Sequence, residues 1–342
     1  STLFPYTTLF RSSISMVRNE NDVIESFVRH NLELMDEMHI IDHGSSDGTR
    51  EILIQLKEEG LPIFIYQYQA LKFNHEQLVN LLMKQLVAKD EAIDFIFPLD
   101  ADEFISCPSR IMLEQLLDVI GENRIGMYLW RGYLPTSLQY NPDFTTQFTE
   151  QRLETLFTPK VIIPRWAAES CSVIIGCHYM LDKDGNKVKS TLFHSPDYRG
   201  LHSWFIEHFS AQFAETDLLW LGHFPIRSLN QHIKKILEKS ILIAIKDGST
   251  DIAWENQLRE LLDNGMKMDL NDLRLLAYRY RAGSTSLEDT HCRVSRYEPL
   301  RKKPLTLKYT SPEAGDPLMT VAHLVLALAS GAQDSSLGLK AV

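Results

Sequence analysis

Ile93-Asp94-Phe95-Ile96-Phe97-Pro98-Leu99-Asp100-Ala101-Asp102-Glu103-Phe104 starts as an apolar run of strand length and ends in three carboxylates. An Ile- and Phe-rich run is the pattern of a strand covered on both faces. Acids placed directly after it stand at the carboxyl edge of a sheet, where open α/β sheets bind their ligands. Residues i and i+2 of an extended chain point the same way. Asp100 and Asp102 are therefore placed to share one divalent cation, and Glu103 points elsewhere. Taken alone, such a pair reads more readily as a solvated turn.

The residues upstream repeat the same rhythm. Ser13 to Val17 is a short apolar segment closed by Arg18-Asn19-Glu20. Val23, Ile24, Phe27, Val28 and Leu34 then recur at helical spacing. Met38 to Ile41 reads as a second strand and runs into Asp42-His43-Gly44-Ser45-Ser46-Asp47-Gly48-Thr49. A helix with Ile52, Leu53 and Leu56, a strand from Ile63 to Tyr68 and a helix opened by Asn74 follow. This alternation predicts βαβ units and a mostly parallel, Rossmann-like sheet flanked by helices. Downstream, Gly126 to Leu134 is expected as one strand, 135–158 as a long loop, and Tyr179 to Lys189 as a hairpin turning at Asp184-Gly185. Ser228 is placed to cap a long helix through Ile233, Ile236 and Leu237.

Three polar loops thus follow three strands. With the motifs Arg18-Asn19-Glu20, Asp42-His43-Gly44-Ser45-Ser46-Asp47-Gly48-Thr49 and Asp100-Ala101-Asp102-Glu103-Phe104, residues 13–104 resemble the family 2-like glycosyltransferases of the GT-A fold. Gly222-His223-Phe224-Pro225-Ile226-Arg227-Ser228 resembles that subgroup's closing motif. The resemblance implies metal-dependent, inverting transfer of a sugar from a nucleotide-sugar donor, UDP- or GDP-linked, to a hydroxyl of a glycan or lipid-linked acceptor. It implies Mn²⁺ or Mg²⁺ held by Asp100, Asp102 and His223. It places Arg18, Asn19, Glu20, Asp42, His43, Asp100 and Ala101 around the nucleotide-sugar. His43 stands where many members have a second acid, which leaves the base open. Arg227 and Lys234 are candidates for the diphosphate and His178 for the acceptor side. No Glu-Asp pair stands where the family usually carries its base, so Glu169, Asp197 and Glu207 remain, with Glu169 preferred by position. Each motif residue also has a plain reading: turn chemistry for the Gly/Ser/Asp loop, a solvated helix start for Arg18 and Glu20, a core histidine for His223.

Composition sets the outer limits. The 342 residues are 44% hydrophobic and 23% charged, enough for a packed core. A net charge of −10 argues against nucleic acid as a partner. Four cysteines without a C-x-x-C spacing read as reduced thiols of a cytoplasmic protein, peripheral attachment at the inner membrane face being compatible with the acceptor class. No run reaches the roughly 18–20 apolar residues of a membrane span; Leu318 to Ala332 comes nearest. Thr2 to Ser12 resembles a translated sequencing adapter, so 1–12 is set apart as an expected artefact, 13–246 as the GT-A domain and 247–342 as a mostly helical extension. Two rivals remain: a sugar nucleotidyltransferase, disfavoured because Arg18-Asn19-Glu20 lacks glycines, and a non-catalytic carbohydrate-binding or scaffold protein with the same fold.

Overall fold

The computed structural model describes residues 8–69, 74–153, 159–174, 176–195, 202–247, 252–280, 294–310, 316–329 and 339–342. The chain opens with β1 (Phe10–Val17), α1 (Ile24–Asn31), β2 (Glu37–Asp42), α2 (Thr49–Glu58), β3 (Ile63–Gln67), α3 (His75–Lys89) and β4 (Ile93–Pro98). It continues through β5 (Glu103–Ser106), α4 (Arg110–Leu117), β6 (Ile125–Tyr128), β7 (Trp130–Tyr133), α5 (Phe144–Gln147), β8 (Glu150–Leu153), β9 (Lys160–Pro164) and α6 (Arg165–Ser170). Then come β10 (Ser172–Ile174), β11 (Tyr179–Leu181), β12 (Ser190–His194), α7 (His202–Phe209), β13 (Gln212–Glu215), β14 (Trp220–His223) and α8 (Leu229–Asp247). The last elements are α9 (Ile252–Asp263), α10 (Leu270–Arg279), β15 (Val294–Tyr297), α11 (Pro317–Ala329) and β16 (Lys340–Ala341).

Nine strands form one sheet in the order β13-β12-β6-β9-β4-β1-β2-β3-β16. It is mostly parallel; β9 runs against β4 and β6, and β16 runs against β3. Apolar clusters cover both faces. Ile24, Phe27, Leu53 and Leu56 from α1 and α2 lie in one, and Leu78, Leu82, Leu86, Ala167 and Phe205 from α3, α6 and α7 lie in the other. This is the α/β, Rossmann-like layering expected of a GT-A-type domain. It also accounts for the sequence of β4, whose Ile93, Ile96 and Phe97 are buried between the layers.

A second, five-stranded sheet has the order β15-β8-β7-β14-β5. The single strand expected over 126–134 is two strands. β6 belongs to the large sheet and β7 to the small one, with the break at Leu129. Apolarity is uniform across the break, so composition carries no sign of the switch. The stretch expected as loop contains α5 and β8. β10 and β11 pair antiparallel, and Leu181 bridges Lys187 around Gly185, whose φ is 82°.

Segments of the C-terminal extension join both sheets, β15 pairing with β8 and β16 with β3. At the other end, the boundary placed after residue 12 falls inside β1. There Arg11 is buried and ion-paired with Asp36 and Glu114, and Ser12 stands in register with Glu37.

Candidate active site

Parallel register brings the three motif loops together. Val17 pairs with Asp42 and Ile14 with Pro98, so β1, β2 and β4 discharge their loops at one edge. The small sheet adds a fourth component. β14 pairs antiparallel with β5, which sets His223 opposite Glu103, and the Phe224 backbone N–H donates to the Asp102 carbonyl. His223 Nε2 thereby stands 3.7 Å from Asp102 Oδ1. The imidazole is stacked on Trp130 with centroids 4.1 Å apart. Helix α8 lies across the same edge. Ser228 Oγ accepts from the Gln231 N–H at its start, as the sequence leads one to expect.

Asp102 is nearly buried, and its charge is held by its neighbours. Burial pushes the carboxyl up, but the Lys235 ammonium, His223 and Arg227 outweigh it and keep it well below the usual carboxylate range. Lys235 Nζ is 3.2 Å from Asp102 Oδ2. Asp100 faces another way. Its Oδ2 accepts from Lys160 Nζ at 2.7 Å, and its Oδ1 is 3.9 Å from His75 Nε2. Burial opposes ionisation of Asp100, but Lys160 and His75 prevail and hold it at about 2. The same Lys160 ammonium lies 3.1 Å from Glu103 Oε1. One ammonium shared by two carboxyls leaves one ionised and one protonated. The fully buried Glu103 takes the proton, burial pushing it up to about 8 against the pull of Lys160. Ala101 is buried in the hydrophobic core beneath.

The other expected nucleotide-side residues brace loops against each other. Asn19 adopts φ 54°, a left-handed conformation that Asn tolerates better than most residues. Its Oδ1 accepts from the Ser46 N–H at 2.8 Å, and its Nδ2 donates to Glu238 on α8 at 3.0 Å. Arg18 donates to Glu238 and to the His43 carbonyl. Asp42 is fully buried, accepting from the Ser45 N–H at 3.0 Å and from Arg50 Nε at 2.6 Å. His43 is buried beside Tyr68, ring centroids 5.5 Å apart. Glu20 meets Arg227 at 2.9 Å; burial pushes its carboxyl up to about 7, while Arg227 and Lys235 pull it down.

Two assignments do not survive the geometry. Glu169 lies on α6, after the end of β9. Because β9 is antiparallel to β4, with Phe95 opposite Pro164, α6 emerges at the edge opposite Asp100. Glu169 is there paired with Arg165 at 2.8 Å and half exposed. It is not brought to the motif loops. Of the other two candidates, Glu207 is exposed on α7 and Asp197 lies outside the described residues. Arg227 and Lys234 are likewise not open to a diphosphate. Arg227 is fully buried against Asp22 and Glu20, and Lys234 is buried against Asp47 and Asn21. His178 is buried, edge-on to Trp130.

Less deeply buried than these are Lys235, ion-paired with Asp102, and Lys239, one turn apart on α8. Burial and Lys235 depress Lys239, while Glu238, Glu20 and Asp100 pull it up. Their i, i+4 spacing after the His223 motif was a usable signal. Lys160 had none: it reaches Asp100 because antiparallel β9 begins, rather than ends, at the carboxyl edge.

The donor set bears on a metal ion. Asp102 Oδ1 and His223 Nε2 are an oxygen and an imidazole donor close enough to share one cation. Asp100 is not part of that pair, its carboxylate being engaged by Lys160. Among the described residues, no group of three or more His, Cys, Asp or Glu stands together to hold an ion unaided. The arrangement fits a divalent cation whose remaining ligands come from a bound anion. Among the described residues no helix is long and apolar enough to cross a membrane.

No family model matches the chain, and no curated protein matches it. Solved structures do. One is a 4-diphosphocytidyl-2C-methyl-D-erythritol synthase from Anaerococcus prevotii, 13% identical with a TM-score of 0.26, over 39% of this chain and 59% of that one. Another is a mannose-1-phosphate geranyltransferase from Thermus thermophilus, 12% identical with a TM-score of 0.26, over 47% of this chain and 52% of that one. The chain thus spans between half and two thirds of the length of these structures.

Proposed function

We propose that this protein is a metal-dependent glycosyltransferase. It moves a sugar, with inversion, from a nucleotide-sugar donor to a hydroxyl of a glycan or lipid-linked acceptor. The observation that carries this reading is the edge where Asp102, His223 and Lys235 converge beside the loops of β1 and β2. Glycosyl transfer from a nucleoside diphosphate leaves negative charge on the departing phosphates, and preorganised positive charge at that point lowers the barrier. Lys235 and Lys239 supply it from α8. Asp102, kept ionised, and His223 hold Mn²⁺ or Mg²⁺, an ion that when bound offsets phosphate charge as a Lewis acid. Asp100 is the more exposed acid of the pair, and Lys160 orients it toward the site rather than toward the ion. Arg18, Asn19, Asp42 and His43 shape the nucleotide side by fixing the two loops. The cytoplasmic location belongs to the same proposal.

The test is thermal-shift binding of UDP, GDP and CDP, each with and without Mn²⁺, on the wild type and Asp102→Asn. A ligand bound only by the folded state raises the midpoint by mass action. The expected result is a Mn²⁺-dependent rise for one nucleotide that is lost in Asp102→Asn. A cooperative transition that no nucleotide shifts would leave the non-catalytic carbohydrate-binding reading in its place.

A further inference from the structure

Tyr280 comes from the C-terminal extension, directly after α10, yet it lies at the candidate site. Its ring centroid is 5.4 Å from that of His223, edge-on at 62°. His223 is stacked on Trp130 at 4.1 Å and 24°. The imidazole is therefore packed by two aromatic rings while its Nε2 faces Asp102. The Tyr280 ring also lies 5.6 Å from the Lys235 ammonium, a cation–π distance. Both groups that flank Asp102 thus touch the same tyrosine. Its backbone is anchored. Arg152, itself buried, donates to the carbonyls of Tyr278 and Tyr280. Helix α10 is started by a capping box at Asp269 and Asp272. Its Leu273 and Ala277 pack on Leu134 and on Ile226, the residue before Arg227.

We infer that Tyr280 is a positioning residue: the extension uses its ring to hold His223 and Lys235 in place around Asp102. What the clamp serves rests on the donor-site reading above, but the clamp itself does not. Partners that orient a metal-binding imidazole typically change metal affinity about 10–100-fold when removed. The contact with His223 is made by the ring, and the phenol oxygen adds electrostatic support to Lys235 alone.

The experiment uses the full chain with Tyr280→Leu and Tyr280→Phe. In histidine-labelled protein without ligand, the His223 ring signals, assigned with His223→Gln, report its stacking on Trp130 through ring-current shifts. Mn²⁺ binding in the presence of the nucleotide that gives the thermal shift is measured alongside. Tyr280→Leu is expected to move the His223 signals and to weaken Mn²⁺ binding about tenfold or more. Tyr280→Phe is expected to keep the wild-type signals and affinity. The inference is overturned if Tyr280→Leu leaves both readouts unchanged, or if Tyr280→Phe fails as badly as Tyr280→Leu. Should Tyr280→Leu not fold, the same readings are taken on Tyr280→Met, a flexible volume-filling substitute. If no nucleotide promotes Mn²⁺ binding to the wild type, the donor-site reading fails, and the ring-current readout alone decides the clamp.

Discussion

Asn19 is a small residue with three tasks: it takes a left-handed turn, accepts from Ser46 and donates to Glu238. Alanine at this position cannot make either side-chain bond and is strained at φ 54°. Two hydrogen bonds at about 1 kcal/mol each and a left-handed penalty of about 1 kcal/mol or more put the cost of Asn19→Ala near 3 kcal/mol, measurable by urea unfolding. Asp102 is the contrasting case: Lys235 and His223 stabilise its charge, and in the proposed function that charge serves the ion rather than the fold. Asp102→Asn is expected to change stability by no more than about 3 kcal/mol, from the unpaired Lys235 ammonium, while abolishing the nucleotide-dependent Mn²⁺ effect. Loss of both the fold and the effect would assign Asp102 a structural role instead.

At the scale of elements, α8 ties the edge together. It meets the β1 loop through Glu238, the β2 loop through Lys234 and the β4 loop through Lys235. Its entry is fixed by Arg227, whose Nε lies 2.7 Å from Asp22, both side chains being fully buried. Burial pushes the Asp22 carboxyl up, yet Arg227 outweighs it and holds it low. Removing one partner strands a buried charge. Arg227→Met is expected to cost about 3–5 kcal/mol. Adding Asp22→Asn should return part of that loss, because the stranded charge is gone. A double-mutant cycle in which the two costs simply add would show that the pair is not coupled. Ser228→Ala removes the helix cap and is expected to cost about 1 kcal/mol, read as a drop in the denaturant midpoint without a change in slope.

For the whole molecule, the C-terminal tail is part of the fold. Arg301 reaches back to His30 and Glu33, and the backbone N–H groups of Lys308, Tyr309 and Thr310 donate to Glu25 on α1. His30 is buried between this tail and the Ile105 carbonyl. Burial and Arg301 lower it to about 4, against the Ile105 hydrogen bond and Glu33. The sign follows from proton binding. Between pH 6.5 and about 4 the unfolded chain takes up a proton on this residue that the folded chain does not, so stability falls as pH falls. The stability of wild type relative to His30→Gln should therefore decline by about 3 kcal/mol across that window, at 1.36 kcal/mol per unit. A constant difference from pH 7 to 4 would mean that His30 protonates freely in the folded protein. The comparison is made with a variant because the buried Glu103, raised to about 8, contributes in the opposite direction.

The sequence by itself determined the order of strands and helices in the first hundred residues, because a buried parallel strand has to be a continuous apolar run and its loop has to be polar. It also set Asp102 in the turn after a strand, His223 beside a strand and Ser228 at a helix start, since each stands at a change in local pattern. Tertiary structure alone decided what those side chains meet. The reversal of β9 sent Glu169 to the edge opposite the motif loops and Lys160 to the edge they share, and no local pattern encodes strand direction. Arg227, just before α8, and Lys235 within it look alike as basic residues of one segment, yet packing against Asp22 buries the first and the second stands beside Asp102. The tyrosine against His223 arrives from the far end of the chain, where spacing along the sequence says nothing of distance in the fold.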